Sequence, residues 1–280
     1  MTGVERGLTP PRRPPLRAAW AHMPLWTLVE GESPVVAAAL HAGHAWRPDL
    51  ERCARIDGRT RRREEDPWSG WLARFTAPCL VVHRSRFEVD LNRPREAAVY
   101  RDADEAFGFE VWRGPLPATA RARSLRLYDH FYAMLRPWLD DLCRRHRRFV
   151  VLDLHSYNHR RGGPGAAPAD PTANPDVNLG TGALDRERWR PVVEEFLAHY
   201  GGLMLGGRRL SVGENVRFQG GHFASWINRM YAEHGCALAV EFKKFFMDEW
   251  TGSMEPDLLV GLRESLTSLA PRLLAALDRT

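Results

Sequence analysis

The chain has 280 residues, of which 44% are hydrophobic and 27% charged, with a formal net charge of +5. This composition is typical of a globular protein with a buried core. The four cysteines are widely spaced and form no CxxC pair, which excludes a disulfide framework and a thiolate metal site. No apolar run approaches the roughly 18 residues of a membrane helix, and the N-terminus lacks a signal-like segment.

These features predict a cytoplasmic protein that has no membrane partner. Arginine supplies nearly all of the positive charge, but no nucleic-acid motif accompanies the arginine clusters, so we expect no nucleic-acid partner either. Residues 1–24 hold five prolines and several arginines, a composition that predicts an extended or disordered arm. We expect residues 25–280 to form the folded part of the chain.

The first two apolar runs, residues 25–29 and 34–40, predict strands. The second run leads directly into His41 and His44, and Gly43 between them allows a sharp turn. A predicted helix and charged loop over residues 49–63 then precede Glu64, Glu65 and Asp66. Three carboxylates beside a proline are typical of a solvated loop, but they also suit a cation that histidines already bind. The sequence of this segment alone leaves both interpretations open.

The third predicted strand, residues 79–83, leads into a segment that contains Arg86, Asp90, Asn92 and Arg93. Arginine binds a carboxylate through a fixed fork of donors, and asparagine adds a neutral donor. These residues therefore suit an anionic substrate. The alternative is an internal salt-bridge network in which Asp90 pairs with one of the arginines.

An irregular segment, residues 94–117, is rich in aromatic residues and is a candidate flap over a cleft. The predicted helix over residues 119–146 leads into a buried strand that begins at residue 149 and brings Asp153, His155 and Ser156 to its carboxyl end. In an open α/β sheet that end faces the ligand crevice. The alternative is that Asp153 and His155 form a hydrogen-bonded pair in the core.

The rest of the chain alternates between further loops, helices and one strand. Gly180 and Gly182 flank Thr181, but no GxxxxGK[ST] loop accompanies them, so a nucleotide site is unsupported. Predicted helices cover residues 185–200, 223–234 and 256–277. The paired glycines Gly220 and Gly221 allow close backbone approach. A strand over residues 236–240 is followed by Glu241, which suits a general base beside metal-bound water or, alternatively, a partner for a lysine or arginine.

Four predicted strands thus end in polar residues that suit one cleft: His41 and His44, the segment 86–93, His155, and Glu241. Unrelated core pairs would be scattered over strand middles as well as strand ends. Zinc amide hydrolases have active sites of this composition: a cation held by two histidines and a carboxylate, an arginine that binds the substrate, and a glutamate that acts as the base.

Six motifs in the same order give the chain a resemblance to the N-formylglutamate amidohydrolase family. They are residues 40–43 (LHAG), 85–94 (SRFEVDLNRP), 153–156 (DLHS), 178–181 (NLGT), 218–222 (FQGGH), and Glu241 with 247–249 (MDE). The family in turn is similar to zinc carboxypeptidases and aspartoacylases. The resemblance implies a three-layer α/β fold of the phosphorylase/hydrolase-like, zinc carboxypeptidase-like type, with a mixed central sheet flanked by helices.

The resemblance also implies a function. The expected activity is zinc-dependent hydrolysis of the amide bond of a small acidic N-acyl amino acid such as N-formylglutamate, with one zinc ion per chain and residues 25–280 as a single catalytic domain. Two alternatives remain open: a carboxypeptidase-like enzyme acting on peptides or cell-wall fragments, and a non-catalytic member of the fold.

Site roles follow from the same resemblance. His41 and His155 are expected to bind zinc. The third ligand is expected to be Glu65 or Asp66, with His44 as the rival because it stands where carboxypeptidases carry the glutamate of HxxE. The remaining roles are carbonyl polarisation by Arg86, activation of water by Glu241, and substrate binding by Asn92, Arg93, Asp90, Gly220 and Gly221.

Overall fold

The computed structural model describes residues 24–280, so the arm predicted over residues 1–24 lies outside the described residues except for Pro24. Most of its strands form one seven-stranded sheet, and β6 and β7 form a separate hairpin. The strands are β1 Trp26–Val29, β2 Val35–Ala39, β3 Cys79–Val82, β4 Phe149–Tyr157, β5 Val177–Gly180, β6 Met204–Leu205, β7 Arg208–Arg209, β8 Val212–Glu214 and β9 Gly235–Lys243.

The helices are α1 Pro48–Glu51, α2 Gly58–Glu64, α3 Ser69–Leu72, α4 Ala118–Arg145, α5 Arg190–Gly201, α6 His222–Met230 and α7 Pro256–Leu277. Three short 3₁₀ turns, Ala73–Phe75, Arg95–Ala97 and Asp104–Ala106, lie between them. Over residues 24–280, no helix has the length and apolarity needed to cross a membrane.

The strand order is β1-β3-β2-β4-β9-β5-β8. The four central strands β3, β2, β4 and β9 run parallel to one another, whereas β1 is antiparallel to β3 and β5 is antiparallel to β9. The carboxyl ends of the four parallel strands therefore lie at one edge of the sheet. Long connections that include helices return the chain between them, as parallel pairing requires.

Helices cover both faces of this mixed sheet, which confirms the predicted three-layer arrangement. All nine residues of β4 are buried, and the side chains alternate between two cores. Val150 and Leu152 pack toward α5 and α7, whereas Val151 packs toward α4 and α6. Burial on both faces explains why the strand begins as a nearly continuous apolar run.

Several element boundaries differ from the sequence-based prediction. β4 and β9 pair through Tyr157 and Lys243, so His155 and Glu241 lie within the strands and not after them. The helix predicted from residue 185 begins at Arg190, because the Asp185 side chain accepts a hydrogen bond from Arg188 N and caps a turn instead. The short strands β5 to β8 were not predicted.

Candidate metal centre and substrate cleft

A cleft of about 600 Å³ opens at the carboxyl edge of the parallel strands. Its walls include His41 after β2, Arg86 after β3, His155 in β4 and Glu241 in β9. The topology thus brings together the four strand ends at which the sequence has polar residues. His44 is the exception, since it does not line the cleft.

Three buried side chains that line the cleft could hold a metal ion: His41, Asp66 and His155. Their potential ligand atoms all lie within 4.8 Å of one another. Asp66 Oδ2 is 2.9 Å from His155 Nδ1 and 3.5 Å from His41 Nδ1. The two imidazole rings approach to 4.8 Å between centroids, so the two predicted histidines meet.

The other nitrogen of each histidine faces a carboxylate. His41 Nε2 is 2.8 Å from Asp90 Oδ1, and His155 Nε2 is 2.9 Å from Asp153 Oδ1. Such partners orient metal-binding imidazoles and fix the tautomer that leaves the opposite nitrogen as the ligand atom. Asp153 and His155 thus lie in contact, although neither Asp153 oxygen makes a hydrogen bond within residues 24–280, and the contact leaves Nδ1 of His155 open to a metal.

The donor set fits a divalent cation of the zinc type, because zinc sites in hydrolases combine two histidines with one carboxylate. His41 Nδ1 is buried and makes no hydrogen bond in the described part of the chain, which is costly for a polar atom unless a ligand satisfies it. Burial alone would raise the pKa of Asp66. A hydrogen bond from His155 and the proximity of His41 lower that pKa below its usual range, so the carboxylate is charged.

Glu65, the other candidate for the acidic ligand, points away from this group. Its carboxylate accepts a hydrogen bond from Ser85 Oγ and contacts His44 Nδ1, and it lies 3.7 Å from Arg61 Nη1. His44 is engaged by the same carboxylate. The geometry therefore brings Asp66 to the two histidines and leaves Glu65 and His44 in a neighbouring network.

Arg86 belongs both to the cleft wall and to an internal network, so neither sequence-based interpretation excludes the other. Its Nη2 donates to Asp90 Oδ2 at 2.8 Å, its Nε donates to the Tyr100 hydroxyl at 3.1 Å, and its guanidinium stacks 4.7 Å from the Phe107 ring centre. Burial alone would lower the pKa of Arg86. Asp90 and Tyr100 have the larger, opposite effect, so the pKa is raised overall and the group is charged.

Asp90 was expected to bind substrate, but it is fully buried and is not among the residues that line the cleft. Its carboxylate instead contacts His41, Arg86 and Tyr100, which orients them. Arg93 does line the cleft; its Nε lies 3.7 Å from Asp90 Oδ2 and its Nη2 donates to the carbonyl of Glu105 at 2.6 Å.

Asn92, Gly220 and Gly221 also line the cleft. Asn92 Oδ1 accepts a hydrogen bond from Phe223 N at 3.0 Å, which ties it to the first turn of α6. A Cβ atom on Gly221 would lie 2.3 Å from Asn92 Oδ1, and Gly220 has φ +105°. Both positions therefore need glycine for the close approach of the two loops.

Glu241 lines the cleft and is paired with His155 across β4 and β9. Burial, together with the negative charges of Asp66 and Asp153, raises the pKa of Glu241 to about 7 against the opposing effects of His155 and His41. A carboxyl group with such a pKa can accept and donate a proton near neutral pH, as general acid–base catalysis requires.

Further cleft residues were not singled out from the sequence: Phe107, Asn158, Arg161, Arg217 and Lys244. They come from loops that follow different strands. Only the aromatic residues of the predicted flap gave any signal, and that signal did not distinguish Phe107 from its neighbours. No local pattern marks the others, because each reaches the cleft through tertiary structure alone.

The fold and cleft together define the class of the protein: a three-layer α/β protein with a candidate metal centre at the carboxyl edge of its parallel strands. Comparison with protein-family models gives a match to N-formylglutamate amidohydrolase over residues 33–247. The chain belongs to the N-formylglutamate amidohydrolase family, which confirms the resemblance carried by the sequence motifs.

Solved structures of other proteins share the fold. The chain is 20% identical to an N-formylglutamate amidohydrolase from Ralstonia eutropha JMP134, with a TM-score of 0.69 over 91% of this chain and 98% of that one. It is 15% identical to a gene product of Agrobacterium tumefaciens, with a TM-score of 0.63 over 92% of this chain and 98% of that one. A search of curated proteins gave no significant match.

Proposed function

We propose that the protein is a zinc-dependent amidohydrolase that cleaves N-formylglutamate to formate and glutamate. The observation that carries this proposal is the group of His41, Asp66 and His155 beside Glu241 in the cleft of a chain that belongs to this family. Residues 25–280 act as one catalytic domain. The four free cysteines suit a reducing compartment, so we propose the cytoplasm as the location.

His41, Asp66 and His155 would hold the ion. When bound, zinc supplies a Lewis acid that polarises a carbonyl and lowers the pKa of water. Asp90 and Asp153 keep the two imidazoles oriented for this role, since each lies against the nitrogen that faces away from Asp66.

Glu241 acts as the proton carrier of the reaction. It takes a proton from a water molecule in the cleft, and the resulting hydroxide attacks the formyl carbon. The bond between that carbon and the amide nitrogen breaks, and Glu241 passes the proton to the departing amine of glutamate. A pKa of about 7 suits both transfers, because neither protonation state is strongly favoured.

Arg86 and Arg93 supply positive charge on one side of the reacting group. Arg86 uses two N–H groups for Tyr100 and Asp90, and an arginine has five, so donors remain for the carbonyl oxygen as negative charge develops on it. Asn92 and Arg93 receive a substrate carboxylate. The stacking of Arg93 over the Tyr100 ring at 4.7 Å limits the orientations of its fork.

A substrate panel tests the proposal. Zinc-loaded protein is assayed with N-formylglutamate, N-acetylglutamate, N-formylleucine and a dipeptide that has a free C-terminal carboxylate. We expect the highest kcat/KM for N-formylglutamate and at least about a tenfold decrease for N-formylleucine. N-formylleucine lacks the side-chain carboxylate of glutamate, so polar groups of the cleft that would bind this carboxylate are left unpaired. Hydrolysis of the dipeptide without formate release from N-formylglutamate would overturn the proposal in favour of a carboxypeptidase-like activity.

A further inference from the structure

Lys244 is a buried lysine immediately after β9, three residues beyond Glu241, and only 1% of it is exposed. Its ammonium group donates to the carbonyl oxygens of Arg63 and Glu65, the latter at 2.8 Å, and to Asn158 Oδ1 at 2.9 Å. An ammonium group has three N–H donors, so these three acceptors satisfy it completely.

Two of these acceptors belong to the main chain that leads to Asp66. Helix α2 ends at Glu64, and the last carbonyl groups of a helix lack partners within the helix. A cation there is favourable because the carbonyl end of a helix carries partial negative charge. Lys244 therefore fixes the end of α2 and the peptide unit immediately before Asp66.

The main chain of Asp66 itself is held on both sides. Its N–H donates to the carbonyl of His41 at 2.9 Å, and its carbonyl accepts from Ser69 Oγ at 2.7 Å. The Asp66 N–H thus attaches this segment to the strand end that carries His41, and the bonds from Lys244 hold the segment at Arg63 and Glu65. The short connection between α2 and α3 has little freedom left.

The third acceptor, Asn158, connects the same ammonium group to the strand that carries His155. Asn158 follows the end of β4, three residues beyond His155, and Lys244 N also donates to the carbonyl of Tyr157 at 3.0 Å. Lys244 thus joins the strand ends of His155 and Glu241 to the segment of Asp66. An apolar side chain of similar length would fill this space without the cost of burying a charge. Packing therefore does not explain a lysine at this position, whereas the three acceptors that it satisfies do.

We propose that Lys244 is a positioning residue for the metal centre: it holds the main chain of Asp66 at the place where the carboxylate can share an ion with His41 and His155. This role depends on the proposed function, because it presupposes that these three residues bind the metal. Loss of the ammonium group is expected to remove the bonds at Arg63 and Glu65 that hold the main chain before Asp66, while leaving all three ligand side chains intact.

The test is the zinc affinity of Lys244→Met, measured by competition with a chromophoric chelator, with Lys243→Met as the matched control. Lys243 is the adjacent residue and is 7% exposed, but its ammonium contacts Asn174 O and Asp176 Oδ1, both at 2.9 Å, away from Asp66. We expect zinc affinity to fall about 10–100-fold in Lys244→Met, the range for loss of a group that orients a ligand. Lys243→Met is expected to stay within about threefold of the wild type.

Thermal unfolding of the metal-free proteins separates positioning from stability. Both variants are expected to unfold at lower temperature than the wild type, but the increase in Tm on adding zinc should be smaller only for Lys244→Met. If Lys244→Met does not fold, Lys244→Gln, which keeps two donors, is measured instead and is expected to bind zinc more than about threefold more weakly than the wild type.

The role of Lys244 is overturned if the folded variant binds zinc within about threefold of the wild type, or if Lys243→Met loses as much affinity. A failure of the proposed function gives a different result. The wild type would then bind less than one zinc ion per chain, or His155→Ala would bind zinc as tightly as the wild type.

Discussion

At the scale of single residues, each histidine of the candidate centre uses its two ring nitrogens differently. Nε2 of His41 and Nε2 of His155 face Asp90 and Asp153, whereas both Nδ1 atoms face Asp66. Carboxylates on both sides of a buried imidazole favour a positive charge on the ring, and they raise the pKa of His155 even though burial lowers it. A metal ion between the Nδ1 atoms and Asp66 would supply positive charge at that point instead.

The first prediction separates Asp66 from Glu65 as the acidic ligand. In Asp66→Asn the zinc affinity is expected to fall by more than about 100-fold. Loss of a residue that only orients a metal ligand costs about 10–100-fold, and loss of the ligand itself is expected to cost more. In Glu65→Gln it is expected to stay within about threefold of the wild type, since the Glu65 side chain contacts Ser85 and His44 and not the metal group. Chelator competition measures both, and the reverse pattern would assign the ligand to Glu65.

Glu241→Gln is the second prediction. The amide keeps the shape of the side chain but cannot accept the proton of water, so kcat is expected to fall about 10²–10⁴-fold. Zinc content, measured by elemental analysis, is expected to remain at the wild-type level because Glu241 is not part of the metal group. Near-normal turnover in this variant would remove Glu241 from the role of base.

At the scale of secondary-structure elements, the loop before α6 is fitted against the segment after β3. Gly221 leaves no room for a side chain beside Asn92, and Asn92 accepts hydrogen bonds from Phe223 N through its side chain and from His222 N through its carbonyl. The first turn of α6 and the segment that carries Asn92 are therefore one packed unit, although 131 positions separate Asn92 from Phe223.

Gly221→Ala gives the third prediction. The added Cβ would lie 2.3–2.4 Å from three atoms of the Asn92 side chain, so Asn92 must shift. We expect a loss of about 1–3 kcal/mol in the free energy of unfolding and an increase in KM for the substrate, with zinc binding retained. Urea denaturation and steady-state kinetics measure the two effects. Wild-type stability and KM would show that the loops separate without consequence.

The fourth prediction concerns pH and the edge pair β1 and β3. The half-buried His83 follows β3, and its Nε2 lies 2.7 Å from Thr27 Oγ1 in β1. Burial, and to a smaller extent Arg74, lowers the pKa of His83 below 6.5. A lowered histidine pKa means that the folded state disfavours the proton, so this contribution to stability is complete above pH 6.5 and is lost as pH falls.

His83→Gln removes this titration and keeps a hydrogen-bonding side chain. The wild type is therefore expected to lose more free energy of unfolding than the variant between pH 7.5 and pH 5.5, and urea denaturation at both values measures the difference. Equal losses in the two proteins would show that His83 does not contribute to the acid sensitivity of the fold.

The elements themselves were predicted to different extents, for physical reasons. Helix α7 has a helical periodicity over a long segment, and β4 begins as a nearly continuous apolar run, so the bounds of α7 and the start of β4 follow from the sequence. β5 does not, because it has only four residues and the polar Asn178 is buried in it. Asn178 is satisfied by Arg217 N and the carbonyl of Phe218, partners that no local pattern reveals.

At the scale of the whole molecule, the parallel order of β3, β2, β4 and β9 is what assembles the site. Residues 41, 86, 155 and 241 lie far apart in the chain but at one edge of one sheet. The sequence predicts that these strand ends are polar. It does not predict the side-chain directions at the edge, which turn Glu65 away from the centre, bury Asp90 behind it and bring Lys244 to the segment that carries Asp66.

The most direct test of the central claim is release of formate from N-formylglutamate by chelator-stripped protein during titration with zinc. If His41, Asp66 and His155 hold a single catalytic ion, activity is absent at the start, rises in proportion to added zinc and reaches a plateau at about one ion per chain. Full activity in the stripped protein, or no formate at any zinc level, would contradict the account.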